Sequence, residues 1–277
     1  MLPCRCLVIA TSTLMCLVSG NAHAQDWSGA YAGVHAGYRW GTAHLNAPAY
    51  TFPDGAGGTT SLPARTEKFS LSSGIGGGHI GFNYRLSRDW LIGVESDITA
   101  GGGSDRASAD FTTSHTATTF ETVVVTTTIP ANPKTEEPEK TVTTETIVAR
   151  EQTVTTQQHR VSSLELGWQG TVRARLGYTQ GAWLFYATGG LAFIQANWSE
   201  TVGTVGGSPA TANFSDVLTG WTVGGGVETF IAPQWIARLE YLYEDFGRSS
   251  VPLAFTSRTG NLDLQAHKLR AGLSFKF

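Results

Sequence analysis

The last eight residues decide the fold, and they read Arg270-Ala271-Gly272-Leu273-Ser274-Phe275-Lys276-Phe277. Successive side chains of a β-strand point to opposite faces. Leu273, Phe275 and Phe277 therefore share one face, whereas Ser274 and Lys276 share the other. A strand that is apolar on one face, polar on the other and aromatic at its end is typical of the closing strand of a membrane barrel, whose outer face contacts lipid.

The first 24 residues have the pattern of a secretory signal. Arg5 supplies a positive charge, Leu7 to Val18 form an apolar run, and Ala22-His23-Ala24 is a small-x-small cleavage site. The run is too short for a membrane-spanning helix. We therefore expect residues 1–24 to be cleaved, with an uncleaved anchor as the alternative.

Cysteine and charge usage exclude several classes of protein. All three cysteines lie within the expected signal, so the mature chain can form neither a disulfide framework nor a thiolate metal site. The net charge of −3 argues against nucleic acid as a partner. The 33 glycines and the 10% aromatic content are typical of a β-barrel.

Period-two alternation of apolar and polar residues recurs along the mature chain, residues 25–277. We interpret eight segments as strands, and these lie at 30–40, 74–84, 90–98, 164–178, 183–193, 221–228, 237–243 and 267–277. In the fifth segment both faces are apolar, so its orientation stays open. The pattern predicts an all-β fold, an eight-stranded antiparallel up-and-down transmembrane β-barrel.

The connections between these segments alternate in length. Three are short (86–89, 179–182 and 232–234), and four are long (41–68, 101–162, 197–216 and 245–262). Short periplasmic turns and long extracellular loops are the usual asymmetry of outer-membrane barrels. Aromatic residues near the predicted strand ends match the girdles at the two membrane surfaces, and they are Trp40, Tyr84, Trp90, Tyr178, Trp183 and Trp235.

The second long loop, residues 101–162, has an unusual composition. Its flanks at 121–129 and 140–155 are rich in Thr and Val, which favour strand, and its centre at 130–138 is rich in Pro, which favours a turn. A long extracellular hairpin and a disordered Thr-rich tether both fit this pattern.

Alternation also places a set of charges on the inner face of the barrel. These residues are Glu95, Asp97, Arg173, Arg175, Glu228, Arg238, Glu240, Lys268 and Arg270. Charges at lipid depth are costly on the outer face, which agrees with an inward orientation. They could line a pore or pair into a plug. Eight strands enclose only enough space for side chains, which favours the plug.

Several segments resemble the small porin-like outer-membrane β-barrel family, which includes the major surface barrels of alpha-proteobacteria and is related to opacity proteins. The matching stretches are 27–33, 90–98, 170–178, 220–228 and 239–247. The resemblance implies eight strands, a place in the Gram-negative outer membrane among lipid and lipopolysaccharide, and insertion by periplasmic chaperones and the barrel-assembly machinery. It supplies no catalytic residues. The resemblance also implies an assembly signal in the last strand, formed by Arg270, Gly272, Phe275 and Phe277.

Sites for other chemistry are weakly indicated. Residues 76–81 match the dinucleotide-binding G-x-G-x-x-G string, but a strand and not a helix follows them. Haem or metal capture by His44 or His115 on the outer loops is an alternative, although no pair of histidines has metal-ligand spacing. We therefore expect no catalytic residues, cofactor or metal, and a structural surface barrel. The alternatives are a small general-diffusion porin and an adhesion or ligand-binding module built on residues 101–162.

Overall fold

The computed structural model describes residues 26–53, 58–129, 139–204, 208–254 and 258–277. The expected signal with its cysteines and the Pro-rich centre at 130–138 lie outside the described residues. The strands are β1 (Gly29–Ala47), β2 (Tyr50–Pro53), β3 (Gly58–Leu62), β4 (Arg65–Arg85), β5 (Trp90–Ala100), β6 (Ser104–Ile129), β7 (Lys140–Gln180), β8 (Trp183–Thr204), β9 (Ala210–Ala232), β10 (Trp235–Pro252) and β11 (Thr259–Lys276). Within the described ranges, no helix is long and apolar enough to cross a membrane.

Eight of these strands form a closed antiparallel ring. Its order is β1-β4-β5-β7-β8-β9-β10-β11, and β11 pairs back to β1 from Tyr31↔Lys276 to Asn46↔Asn261. The predicted all-β barrel is confirmed. The predicted count of eight describes only the ring, because the described residues contain eleven strands and β2, β3 and β6 lie outside it.

The long loops were predicted too long, because the ring strands continue far into them. β1 runs to Ala47 and β4 begins at Arg65, and together with β2 and β3 these strands cover 20 of the 28 residues of the predicted loop at 41–68. The period-two pattern persists there with its polarity reversed. Ala43 and Leu45 face the interior and are 0% exposed, whereas His44 between them is exposed to the outside.

This reversal marks where the membrane ends. From Ala30 to Trp40, β1 presents apolar side chains outward, and Val34 is 64% exposed. These eleven residues are about the length that a tilted strand needs to cross the hydrocarbon core. Beyond Trp40 the outer surface is polar and the interior apolar, as in a barrel that stands in water.

Aromatic side chains form belts on the outer surface at both ends of the apolar band. At the end with the short turns, Trp90 packs against Tyr178 and Trp235 against Phe275. At the other end, Trp40 stacks on His267. Trp40 was predicted near a strand end, but it lies inside β1 because the strand continues above the membrane.

Strands β6 and β7 form a long hairpin above the ring. Their pairing runs without a register shift from Ser104↔Glu165 to Ile129↔Lys140. The short β2–β3 hairpin pairs with the lower part of β6, ending at Gly58↔Ala117. The sequence left a hairpin and a disordered tether open for residues 101–162, and the structure pairs residues 104–129 with 140–165 as a hairpin.

Candidate functional site

The nine charges selected by alternation all lie in the barrel lumen. Each is at most 4% exposed, and they project from β5, β7, β9, β10 and β11. Neighbouring positions on each strand point outward, and this alternation brings the charges together without any loop. The lumen at membrane depth is therefore the candidate site.

Arg173 is the centre of this cluster. Its Nη2 lies 2.5 Å from Glu95 Oε1 and 3.1 Å from Asp97 Oδ2, and its Nη1 lies 2.8 Å from Glu240 Oε1. Thr171 accepts a hydrogen bond from Arg173 Nε at 3.0 Å. One planar guanidinium thus joins β7 to strands β5 and β10 on opposite sides of the lumen.

A second layer lies toward the short-turn end. Arg175 Nη2 is 2.7 Å from Glu228, and Arg238 Nη2 is 2.6 Å from Glu228 and 2.7 Å from Glu95. The Tyr31 hydroxyl donates to Glu95 at 2.7 Å, and the Arg175 guanidinium lies 3.9 Å from the centroid of the Tyr186 ring. The sequence analysis did not assign either tyrosine to the charge network, although alternation places Tyr31 on the inner face of its strand.

The third layer lies on the opposite side of Arg173. Arg270 contacts Asp97 at 3.0 Å and Glu240 at 2.6 Å, and Lys268 Nζ contacts Glu244 at 2.6 Å. Glu244 was also missed, because the predicted strand ended at residue 243. It shares the inward parity of Glu240 and gives Lys268 an acidic partner.

His35 and His79 are buried in the lumen beside these layers. Nδ1 of His35 lies 3.3 Å from Nδ1 of His79, and their other ring nitrogens meet Thr99 Oγ1 at 2.9 Å and Ser274 Oγ at 2.7 Å. The described residues contain no group of three His, Cys, Asp or Glu side chains that could hold a metal ion. His44 and His115, the outer histidines, lie on β1 and β6.

Apolar clusters close the lumen at both ends of the charged layers. At the short-turn end, Trp27 lies ahead of β1, folds into the opening and packs on Phe230 at 4.5 Å between ring centroids. At the hairpin end, a larger cluster includes Phe69 and Trp198, whose rings meet edge to face at 5.6 Å. The charged layers therefore lie between two apolar closures.

A separate ion cluster lies above the larger closure. Arg65 contacts Glu200 at 2.5 Å, and Arg160 contacts Glu200 at 3.1 Å and Glu67 at 3.4 Å. Burial lowers the pKa of Arg160, and the neighbouring Arg65 acts in the same direction. No sequence pattern pointed to this cluster, because its members lie in segments interpreted as loops.

The four residues of the expected assembly signal lie at the seam between β11 and its neighbours. Arg270 is part of the charge network, and a side chain at Gly272 would meet Arg238 at 2.9 Å. Phe275 packs on Trp235 at 5.4 Å, and Phe277 is 72% exposed. Their role in assembly stays a prediction.

The chemistry of the lumen is that of a fixed network. Its acids and bases are paired across strands, and the layers above and below are apolar. Ion pairs that are buried and hydrogen-bonded on several sides hold strands in register and offer little space to a passing ion.

Comparison with known proteins agrees with the fold. Residues 9–277 match the family described as "Outer membrane protein beta-barrel domain". The chain belongs to this family. It is an outer-membrane β-barrel protein of the type found in alpha-proteobacteria, as the sequence resemblance predicted.

Two curated relatives from that group are similar to this barrel. The 31 kDa outer-membrane immunogenic protein of Brucella melitensis is 28% identical over 91% of this chain and 84% of the relative. The 22 kDa outer membrane protein of Rhizobium leguminosarum is 37% identical over 39% of this chain and 47% of the relative.

Among solved structures, the barrel is similar to Neisserial surface protein A. The two share 16% sequence identity with a TM-score of 0.37, over 90% of this chain and 98% of that protein.

Proposed function

We propose that this outer-membrane barrel is a non-enzymatic structural protein that strengthens the envelope and displays its β6–β7 hairpin at the cell surface. The observation that carries this proposal is the filled lumen, in which paired charges lie between two apolar closures. A barrel whose interior is occupied by its own side chains gains rigidity from them. The aromatic belts support contacts with lipid and lipopolysaccharide, and the C-terminal strand supports recognition by chaperones and the assembly machinery.

A small general-diffusion porin is the competing function. In a porin the lumen is a water-filled channel. The layers around Arg173 favour the structural role, because a solute would have to separate buried ion pairs and then displace Trp27 or Trp198.

Reconstitution of the purified protein distinguishes these two functions. We expect no discrete conductance steps in planar bilayers, and proteoliposomes that swell in a small sugar no faster than empty liposomes. A general porin reconstituted at the same protein-to-lipid ratio is the positive control. Stable channel openings or rapid swelling by the folded, heat-modifiable protein would refute the structural role.

A surface binding module is the second candidate, and the length of the hairpin favours it. Twelve residue pairs, from Thr118↔Glu151 to Ile129↔Lys140, extend above the β3 contact. At about 3.4 Å per residue they span roughly 40 Å. Replacing residues 118–151 by a short Gly-Asn turn tests this role. We expect the shortened barrel to fold and to lose adhesion or ligand binding, whereas unchanged binding would remove the hairpin from consideration.

A further inference from the structure

The upper hairpin is a two-stranded ribbon with unpaired edges. Among the described residues, no strand pairs with the outer edge of β6 beyond Ala117 or with that of β7 before Gln158. Unpaired strand edges present a row of free N–H and C=O groups that can accept another strand. A ribbon of two strands is also marginally stable in water, and a third strand stabilises it.

The two faces of this ribbon differ in charge. One face, which we call the acidic face, carries Phe120 and Ile147, which are 73% and 71% exposed, together with Val124 and the carboxylates of Glu145 and Glu151. Neither carboxylate has an ion-pair partner within the described part of the chain. Arg150 has the opposite parity and lies on the other face, where it pairs with Glu121 at 2.9 Å.

The spacing on β7 defines what a third strand would need. Glu145 and Glu151 are six residues apart, or about 20 Å along the strand. Ile147 and Ala149 lie between them on the same face. A strand added along this edge places its side chains directly opposite these four positions.

A second copy of the same ribbon fits this edge poorly. Residues 118–157 contain six acidic and three basic residues, so each ribbon carries a net charge of −3. Antiparallel pairing of two β7 edges centred on Glu145 or Val148 sets glutamate against glutamate, and pairing in any other register still brings together two ribbons of net charge −3. Like charges directly opposite one another destabilise a sheet, and the edge therefore suits a basic partner.

We propose that the free edge of β7, from 140 to 157, binds an extended polypeptide segment of the pattern Lys/Arg-x-apolar-x-apolar-x-Lys/Arg by strand addition. The basic side chains oppose Glu145 and Glu151, and the apolar ones oppose Ile147 and Ala149. Main-chain hydrogen bonds supply affinity, and alternate side chains supply specificity, as in other strand-addition complexes. This inference deepens the display role proposed above and rests on it.

The test uses the full-length barrel in detergent micelles and two labelled synthetic peptides. One contains Lys-Thr-Val-Thr-Val-Thr-Lys, and the other has both lysines replaced by glutamate. We expect the lysine peptide to bind wild type at least about tenfold more tightly than the glutamate peptide at low salt, and less selectively at high salt. The double variant Glu145→Lys/Glu151→Lys should reverse this preference.

Glu165→Lys is the matched control. Glu165 is an exposed glutamate of the same strand, but β6 and β8 pair with it on both sides, so its edges are occupied. We expect this variant to bind like wild type. Heat-modifiable gel mobility verifies that each variant is folded. Equal binding of both peptides, or an equal effect of Glu165→Lys and the double variant, would overturn the proposal.

Proteolysis of intact cells separates this inference from the display role. In intact cells, added protease should cut the chain within residues 118–157 if the hairpin is displayed. A cleaved hairpin without peptide binding overturns strand addition alone. A protected hairpin overturns the display role, whatever the purified protein binds.

Discussion

Replacing Arg173 by alanine tests whether the lumen network stabilises the barrel. The substitution removes three ion pairs and leaves Glu95, Asp97 and Glu240 without the cation between them. Breaking a buried ion pair on one side costs about 3–5 kcal/mol, because the remaining charge stays buried. Arg270 still contacts Asp97 and Glu240, which keeps the expected loss within that range.

The assay is reversible urea unfolding of the barrel in lipid vesicles, followed by heat-modifiable gel mobility. A loss of 3–5 kcal/mol lowers the folded-to-unfolded ratio by about two to four orders of magnitude. Arg248→Ala is the control, since Arg248 pairs with Asp263 at 3.3 Å but is exposed. An exposed pair contributes about 0–1 kcal/mol. Arg173→Lys should fall between the two, because an ammonium group cannot reproduce the planar fork.

Conductance of the same variant gives a second readout. We expect Arg173→Ala to remain non-conducting in planar bilayers, because the apolar closures at Trp27 and Trp198 are unchanged. A variant as stable as Arg248→Ala would refute the structural role of the network. A stable, strongly conducting variant would show that Arg173 instead blocks a pore.

Three further predictions concern other parts of the barrel. Trp198→Ala should lower the free energy of unfolding by about 3–5 kcal/mol in the same urea assay, because it leaves a cavity in the upper closure. Gly190→Ala should destabilise the barrel, because the new methyl group would clash with the backbone carbonyl of Val172. Gly74→Ala should not, because nothing lies within 4 Å of the new methyl group. A hydrogen bond from the Ser28 N–H lowers the pKa of Asp26. The free energy of unfolding of wild type should therefore exceed that of Asp26→Asn above about pH 3.8, and the difference should disappear as the pH falls. A difference that does not change with pH would contradict this.

The orientation of the lumen charges could be predicted because side-chain parity is a local property of a strand. Glu95 and Asp97 share a face whichever strand pairs with β5. Their partners could not be predicted, because strand register depends on the whole ring. The structure pairs Glu95 with Arg173 across β5 and β7, and it brings Glu240 to the same guanidinium from the far side of the lumen.

The loops were the largest error of the sequence interpretation. Glycine-rich and threonine-rich segments beyond Trp40 lose the apolar outer face, and they were interpreted as loops for that reason. Their inward positions are apolar, however, as at Leu45 and Phe69. Above the membrane, water surrounds the barrel, and the same alternation directs the apolar side chains inward, where they form a core.

The alternation of the C-terminal strand by itself indicated an outer-membrane barrel, because Leu273, Phe275 and Phe277 form an apolar face suited to contact with lipid. Local alternation, which needs no partner, also determined which charges point inward. The tertiary structure alone decided that the lumen is closed, since closure requires Trp27 and Trp198 to meet side chains from distant strands. It also decided that residues 104–129 and 140–165 pair into a hairpin, because strand pairing is a contact between segments and is not encoded in either one.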